Sequence, residues 1–219
     1  MRPDASAAEL RDWIATRLDP LEAWDPASRS THSDYDLAPD LRPEARHLRP
    51  AAVLVPIVEH AGGPTVLLTR RADAMRAHAG QVAFPGGRID AGETPWQAAL
   101  REAEEEVGLD PARVSIVGLA SPYETVTGYQ ITPVVGFVRP GFDVRPNEAE
   151  VADVFETPFA WLMDPANTER RHHDRADGVR RYFYAMPWED RFIWGATAGM
   201  LRALRERLFG PDEVGERAA

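Results

Sequence analysis

The sequence contains no cysteine, no lysine and no long uninterrupted run of apolar residues. Without cysteine, the protein can form no disulfide and cannot use a thiol in catalysis. Its cysteine content therefore does not indicate whether its cellular compartment is oxidising or reducing. No apolar stretch approaches the roughly 20 residues that cross a bilayer, and the amino-terminal segment MRPDASAAELRD lacks the hydrophobic region of a secretion signal. These absences lead us to expect a cytoplasmic protein with no membrane partner.

Because lysine is absent, all 25 positions counted as lysine or arginine are arginine, a residue that can donate two hydrogen bonds to one phosphate. The net charge of −10 argues against DNA or RNA as a partner, since like charges repel. A small anionic substrate is still compatible with this charge, because bound divalent cations reverse the local sign. We therefore expect a small-molecule partner, and the sequence leaves a homodimer open.

The 219 residues suit one domain preceded by an extension. We predict an N-terminal helix and extended arm over 1–49 and a single domain over 50–219. Within the extension, Ser6 caps an amphipathic helix predicted at 6–18, and the proline- and aspartate-rich stretch 19–50 is predicted to be irregular. Short apolar, β-branched runs predict strands at 52–58, 65–70, 81–84, 114–120, 131–138, 151–155 and 180–185. Together with a closing helix at 195–209, whose Met200, Leu201, Leu204 and Leu208 point inward, this pattern predicts an α/β sandwich.

The most informative segment is a short acidic helix that holds Glu102, Glu105 and Glu106. At about 100° per residue, these glutamates fall within an arc of roughly 100° on one flank. Like charges three and four residues apart cost an isolated helix a few tenths of a kcal/mol each. Carboxylate oxygens are the ligands that Mg²⁺ and Mn²⁺ prefer, so this spacing indicates a cation site.

Both ends of this helix carry recognisable signals. Thr94, Pro95 and Gln97 form a capping box with proline at the first helical position, and Gly108 suits a left-handed residue that ends the helix. Trp96, Leu100, Ala103 and Val107 recur at helical spacing and are predicted to face a sheet. Two glycines lie before the helix, in Phe84-Pro85-Gly86-Gly87-Arg88. Glycine at both positions indicates that the backbone passes close to another group there.

The run from Gly87 to Leu109 resembles the Nudix box, G-x5-E-x7-R-E-U-x-E-E-x-G-U, where U is a bulky aliphatic residue and Ala103 is the one smaller substitute. The resemblance implies an α/β/α sandwich with a mixed sheet and Mg²⁺- or Mn²⁺-dependent hydrolysis of a diphosphate. It implies metal ligation by Glu102, Glu106, Glu105 and the Gly87 carbonyl, and a catalytic set that adds Arg101 and Glu150. Glu102 and Glu150 are alternative general bases. Glu150 is equally well interpreted, with Glu148, as a solvated loop charge, and Glu93 is predicted to pair with Arg101.

A second motif lies upstream, where Leu67-Leu68-Thr69-Arg70-Arg71-Ala72 is followed by Arg76, Gly80 and Phe84-Pro85-Gly86-Gly87. It is similar to the signature of the coenzyme A pyrophosphatase branch of the Nudix family, whose members hydrolyse CoA to 3′,5′-ADP and 4′-phosphopantetheine. Substrate binding is accordingly predicted for Arg71, Arg76, His78 and Gln81. The pair His172-His173 lies in a polar run without a third ligand at metal spacing, so we interpret it as solvated.

Three other functions stay open, of which an interaction scaffold built around the acidic N-terminal arm is supported by composition alone. The Nudix box specifies metal and diphosphate rather than the flanking group, so ADP-ribose, a dinucleotide or an oxidised nucleotide is an alternative substrate. A ligand-sensing Nudix module that binds without cleaving is less consistent with the sequence, because every carboxylate of the box is present and no basic DNA-binding segment is attached.

Overall fold

The computed structural model describes residues 7–44, 47–73, 79–174 and 178–211. Within these residues, nine strands form one mixed sheet and three strands form a second, antiparallel sheet. The strands are β1 (His32–Ser33), β2 (Arg49–Val58), β3 (Thr65–Arg71), β4 (Val82–Ala83), β5 (Gly86–Arg88), β6 (Val114–Leu119), β7 (Tyr123–Glu124), β8 (Tyr129–Val138), β9 (Val151–Pro158), β10 (Glu169–Asp174), β11 (Arg180–Trp188) and β12 (Arg191–Trp194). The helices are α1 (Ala7–Ala15), α2 (Pro95–Val107), α3 (Phe159–Leu162) and α4 (Ala196–Phe209).

The large sheet is mixed because β2 runs parallel to β8 and antiparallel to β3 and β5. Hydrogen-bonded neighbours follow the order β1-β7-β8-β2-β3-β4 across the sheet. In addition, β5 pairs with β2, β6 pairs with β8, and β9 pairs with β3. β1 and β7 also pair in parallel. The sheet therefore has the mixed composition that the Nudix resemblance implied.

Alternation along β2 places apolar side chains on both faces of the sheet. Val53, Val55 and Ile57 belong to the core that includes residues of α1, α3 and α4, whereas Ala52 and Leu54 belong to the core under α2. A strand buried on both faces is apolar at successive positions rather than at alternate ones. Helices thus cover both faces, and the predicted α/β/α sandwich is confirmed.

Most predicted elements are present with small changes of boundary. The closing helix begins at Ala196, and its four predicted inward residues are all buried. The strand predicted at 81–84 is instead two short strands, β4 and β5, separated by the Phe84-Pro85 step. The N-terminal helix spans Ala7–Ala15 and packs Leu10 and Ile14 into the common core, while its predicted cap, Ser6, lies outside the described residues.

The stretch 19–50 is more ordered than the prediction of an irregular arm. Asp19 forms a bridge with Leu119, β1 pairs with β7, and β2 already begins at Arg49. Trp24 packs edge-on against Trp96 of α2, with ring centroids 6.2 Å apart. These attachments depend on partners far away in sequence. Among the described residues no helix is long and apolar enough to cross a membrane.

Candidate active site

Helix α2 begins and ends as its sequence predicts. Thr94 Oγ1 accepts a hydrogen bond from the Gln97 amide, and Gln97 Oε1 accepts one from the Thr94 amide at 2.9 Å. Gly108 ends the helix in the left-handed conformation, with φ of 69°. Both caps satisfy backbone groups that would otherwise lack partners, so the helix has a fixed register against the sheet.

The predicted buried face of α2 is only partly right. Ala103 and Val107 are fully buried, but Trp96 and Leu100 are half-buried, and the alanines at 98 and 99 take their place against the sheet. Small side chains allow the helix to approach the sheet closely, which displaces the bulky Trp96 and Leu100 to its margin. Ala103, the smaller substitute in the Nudix box, lies in this close contact.

Arg101 connects the start of α2 to the loop before it. Its Nε and Nη2 donate to the two carboxylate oxygens of Glu93 at 2.9 and 3.1 Å, which confirms the predicted pairing. Nη1 donates to Glu102 at 2.9 Å and to Glu105 at 3.3 Å, and Nη2 also donates to the Arg88 carbonyl. These bonds raise the pKa of Arg101 and lower the pKa of Glu93. Arg101 therefore braces the glycine loop against the acidic helix.

Glu106 is the most buried carboxylate of the helix, with only 5% of its side chain exposed. Burial raises the pKa of Glu106 to about 7, with smaller contributions from the neighbouring charges of Glu102 and Glu150. The Gly86 amide, which donates to Glu106 Oε2 at 3.2 Å, and Arg71 act in the opposite direction. Burial also raises the pKa of Glu102, with repulsion from Glu105 and Glu150 adding to it. The charges of Arg101 beside Glu102 and of Arg71 near Glu106 only partly offset burial and repulsion, so the pKa values of both carboxylates remain raised.

The two glycines before the helix leave space for close approach. A Cβ on Gly86 would lie 2.4 Å from the Ala52 carbonyl oxygen, so only glycine lets this strand run against β2. A Cβ on Gly87 would lie 2.3 Å from Glu102 Oε1. The Glu102 carboxylate therefore rests directly on the backbone of Gly87, beside the predicted metal-binding carbonyl.

Glu150 reaches the same place through a loop fastened to the end of α2. The amides of Arg145 and Asn147 donate to the carbonyls of Val107 and Glu106 at 2.8 and 2.9 Å. Just beyond, the Glu150 carbonyl accepts from the Ala72 amide at 2.8 Å. Glu150 is half-buried and lines the cleft, whereas Glu148 is exposed. The position of Glu150 supports the functional interpretation over that of a solvated loop charge.

Two of the four predicted substrate-binding residues lie in the same cleft. Arg71 Nη1 is 4.0 Å from Glu106 Oε1, and the Arg71 amide donates to the Gln81 carbonyl at 2.9 Å. Arg71 and Gln81 both line the cleft. Arg76 and His78 lie outside the described residues, so their predicted role stays a prediction.

These side chains surround a cleft of about 430 Å³. The cleft unites Glu102, Glu106, Glu150, Arg71, Gln81 and Gly87, all predicted from sequence. Two other predicted residues do not line the cleft. Glu105 is 59% exposed and accepts a hydrogen bond from Arg101, and Arg101 itself lies outside the lining and supports the cleft through its bonds to Glu102 and Glu105.

Sequence reasoning missed several residues that line the cleft, among them Asp34, Tyr129, Trp194 and Thr197. Trp194 ends β12 and Thr197 lies in the first turn of α4, and neither residue was assigned a role from the sequence. Asp34 has no sequence signal at all.

The residues of the cleft fit a hard divalent cation by chemistry. Glu102, Glu106 and Glu150 offer carboxylate oxygens and Gly87 offers a carbonyl oxygen, and the buried, mutually repelling glutamates would be stabilised by positive charge. As placed, however, no three His, Asp or Glu side chains among the described residues converge closely enough to hold a metal together. Glu102 and Glu105 instead accept hydrogen bonds from the guanidinium of Arg101.

This arrangement of glycine loop, acidic helix and mixed sheet defines a Nudix-type site, and comparison with known proteins agrees. The family model for the NUDIX domain matches residues 47–185. A protein described as uncharacterized Nudix hydrolase NudL from Escherichia coli O6:H1 is 45% identical over 174 residues, which cover 77% of this chain and 87% of that protein. Its namesake from Citrobacter koseri is 43% identical with the same coverage. The chain belongs to the Nudix family and is a Nudix hydrolase of phosphoanhydride bonds.

Solved structures resemble the chain less closely. An Ap4A hydrolase from C. elegans in a binary complex is 23% identical with a TM-score of 0.45, covering 50% of this chain and 80% of its own. RenU, a Nudix hydrolase from M. smegmatis, is 26% identical with a TM-score of 0.45, covering 53% and 74%. At TM-scores below 0.5, neither likeness bears on the substrate of this chain.

Proposed function

We propose that this Nudix hydrolase cleaves the diphosphate of coenzyme A or acyl-CoA, giving 3′,5′-ADP and (acyl-)4′-phosphopantetheine. The observation that carries the proposal is the upstream motif, which begins in β3 and ends in the glycine loop. Its described residues Arg71 and Gln81 line the cleft that holds Glu102, Glu106 and Glu150. The motif that resembles the CoA branch thus contributes directly to the proposed site.

Each residue has a role that follows from its chemistry. A divalent cation, Mg²⁺ or Mn²⁺, would neutralise the diphosphate and supply an activated water when bound. Glu102, Glu106, Glu105 and the Gly87 carbonyl would hold it. Arg71, half-buried beside Glu106, would donate charge-assisted hydrogen bonds to a phosphate oxygen. Glu102 and Glu150 remain the two candidates to accept the proton of the attacking water.

The remaining walls of the cleft suit groups that flank a diphosphate. Ala51, Val53, Ile131 and Met200 provide apolar surface near the carboxylates. Tyr129 adds a ring whose face is contacted by Arg49, at 4.0 Å from the centroid. A substrate with substantial groups on both sides of its diphosphate would therefore find more contacts here than inorganic pyrophosphate does.

A substrate panel tests this proposal. Purified protein with Mg²⁺ or Mn²⁺ would be incubated with CoA, dephospho-CoA, ADP-ribose, NADH and an oxidised dGTP derivative, with products identified by mass. We expect the highest kcat/KM for CoA or an acyl-CoA and the release of 3′,5′-ADP. Glu106→Gln serves as the control for contaminating hydrolases. Equal kcat/KM for CoA and ADP-ribose would favour a general nucleoside-diphosphate hydrolase, and tight binding without turnover would favour a sensing module.

Arg76 and His78 enter the proposal through the motif alone. Arg76→Ala should raise the KM for CoA about ten-fold or more with a smaller effect on kcat, because a charge-assisted phosphate contact contributes roughly 1.5–3 kcal/mol. His78→Ala should act in the same direction, more weakly where the imidazole is neutral. A KM for Arg76→Ala within two-fold of wild type would mean that Arg76 is a solvated arginine. The cytoplasmic location and the homodimer stay predictions.

A further inference from the structure

A second cavity of about 230 Å³ adjoins the catalytic cleft. We call it the aromatic annex, and it is lined chiefly by Phe183, Trp194, Tyr182, Arg181, His173 and Asp34. Asp34, Gln81, Val126, Trp194 and Gly195 line the annex and the cleft alike, so the two cavities are neighbours along a shared wall. A substrate with its diphosphate at the glutamates could extend one end into the annex.

The annex presents flat rings, of which those of Phe183 and Trp194 are half-buried. Phe183 and Trp194 meet edge to face, with centroids 5.2 Å apart and planes at 63°, and His173 lies 6.0 Å from Phe183. Edge-to-face packing leaves part of each ring face available to a further planar group. In the cleft, the ring of Tyr129 is contacted by Arg49 and Arg88. The annex therefore offers further aromatic surface on which a nucleobase can stack.

Basic residues accompany these rings. His173 of β10 is directly opposite Arg181 of β11 in the antiparallel register, so the two side chains share one face of the small sheet. Arg181 is half-buried, and its guanidinium also lies 5.8 Å from the ring centroid of Tyr35. Asp34 contributes a carboxylate to the same wall, where its charge interacts with that of Arg181, and its oxygens accept hydrogen bonds from the Tyr123 hydroxyl and from the Val126 amide. A phosphate would consequently seat at the Arg181–His173 side.

We propose that the aromatic annex binds the 3′-phosphorylated adenosine half of the substrate, with the base against Phe183 and Trp194 and the 3′-phosphate bound by Arg181. Of the two halves of CoA, only the nucleotide carries both a flat aromatic ring and a phosphate monoester. His173 adds a donor at the rim when it is protonated. The proposal rests on the proposed function and deepens it, because it names the residue that distinguishes CoA from dephospho-CoA.

Kinetics on a matched substrate pair test the assignment of Arg181. Wild type, Arg181→Ala and the control Arg180→Ala would be assayed on CoA and on dephospho-CoA, which differ only in the 3′-phosphate. Arg180 is the neighbouring arginine of β11, pairs with Asp174 and does not line the annex. We expect Arg181→Ala to raise the KM for CoA about ten-fold or more and to leave the KM for dephospho-CoA within two-fold. Equal effects on both substrates, or none on either, would overturn the proposal.

Binding of the nucleotide product separates this inference from the choice of substrate. Calorimetry would compare 3′,5′-ADP with 5′-AMP on wild type, Arg181→Ala and Phe183→Leu, which keeps an apolar side chain but removes the ring. We expect Arg181→Ala to weaken only 3′,5′-ADP, and Phe183→Leu to weaken both nucleotides about five-fold or more. If wild type turned over no CoA yet bound 3′,5′-ADP with this pattern, the proposed function would fail and the annex would stand. If neither variant changed binding, the annex assignment would be wrong whatever the substrate.

Discussion

The carboxylate of Glu102 lies directly over the backbone of Gly87, where an added Cβ would be 2.3 Å from Oε1. Gly86, one residue earlier, has a different neighbour, because its added Cβ would meet the Ala52 carbonyl at 2.4 Å and the Val53 Cα at 2.6 Å. A flexible side chain can move away from a new methyl group, whereas the backbone of a central strand cannot. Gly87 is therefore needed by the site, and Gly86 is needed by the fold.

Gly87→Ala should accordingly affect mainly activity, whereas Gly86→Ala should affect mainly stability. Gly87→Ala should displace the Glu102 carboxylate and lower kcat by about ten-fold or more, with Tm within a few degrees of wild type. Gly86→Ala should lower the free energy of unfolding by about 1–3 kcal/mol, the usual cost of overpacking. Urea unfolding and steady-state kinetics on both variants check this. Loss of stability in Gly87→Ala equal to that in Gly86→Ala would contradict the distinction.

Removing the charge of Glu106 should weaken catalysis without weakening the fold. Glu106→Gln should lower kcat by on the order of 10²-fold or more, because a metal ligand stabilises transition-state charge worth several kcal/mol. Its Tm should be equal to or above that of wild type, since glutamine replaces a carboxylate whose charged form is disfavoured by burial. Glu102→Gln should also lose activity.

Glu104→Gln is the matched control for these variants, because Glu104 lies on the same helix and is exposed. Its kcat and Tm should both stay near wild type. Comparable losses of kcat in Glu104→Gln and Glu106→Gln would refute the assignment of the metal-facing flank.

Local sequence predicted the helix caps, the Glu93–Arg101 pair and the strands of apolar β-branched residues, because these depend on neighbours in sequence or on burial of both faces. The two-residue strands β1 and β7 could not be predicted, since their pairing joins residues about ninety positions apart and adds no apolar pattern. β10 was missed for a related reason. Its sequence ERRHHD is polar at every position, and the strand exists because β11 pairs with it. Its histidines are exposed, as expected.

The same limit explains what was missed in the site. Arg71 carried a motif signal, Glu150 was implied by the family resemblance, and both line the cleft. Asp34 reaches the cleft only because β1 docks on β7, which no local pattern indicates. The prediction of the buried face of α2 was also partly wrong, because small residues of the helix are buried in place of larger ones. Periodicity favoured Trp96 and Leu100, but close helix–sheet packing favoured alanine.

The Glu93–Arg101 pair should make stability depend on pH in the acid range. Hydrogen bonds from Arg101 lower the pKa of Glu93 below its ordinary value of 4.5. The pair therefore stabilises the fold above about pH 4.5, and this contribution is lost as pH falls through the lowered pKa. Glu93→Gln should be less stable than wild type by about 0.5–1 kcal/mol at pH 7, a value limited by partial exposure. Urea unfolding from pH 3 to 7 should show the difference shrinking toward pH 3; a constant difference would argue against an ionic contribution.

A divalent cation should stabilise the folded protein as well as activate it. If Mg²⁺ binds the repelling carboxylates of the folded state, a Mg²⁺ concentration of ten times its Kd adds about 1.4 kcal/mol of stability, or a Tm rise of about 3–6 °C for a chain of this size. Thermal unfolding with EDTA and with increasing Mg²⁺ or Mn²⁺ measures the shift, which Glu106→Gln should reduce and Glu104→Gln should retain. An identical shift in wild type and Glu106→Gln would locate the cation elsewhere.

Asp34 should hold the arm onto the cleft through its two acceptor oxygens. Oδ1 accepts from the Tyr123 hydroxyl at 3.1 Å and Oδ2 from the Val126 amide at 2.8 Å. Asp34→Ala leaves both donors unsatisfied and should lower the free energy of unfolding by about 2–6 kcal/mol, at roughly 1–3 kcal/mol per buried group. Asp34→Asn should lose far less, because its carbonyl can accept from Val126 while its amide donates to the Tyr123 oxygen.

The two Asp34 variants should also separate with pH. Burial raises the pKa of Asp34 above its ordinary value of 3.8, so the folded state binds this proton more tightly than the unfolded state. Wild type should then lose stability relative to Asp34→Asn as pH rises through 3.8 toward the raised pKa, and the gap should stay constant above it. Urea unfolding of wild type, Asp34→Asn and the arm control Asp40→Ala across pH 3–8 measures this. A pH-independent gap, or an Asp34→Ala variant as stable as Asp40→Ala, would show that Asp34 does not anchor the arm.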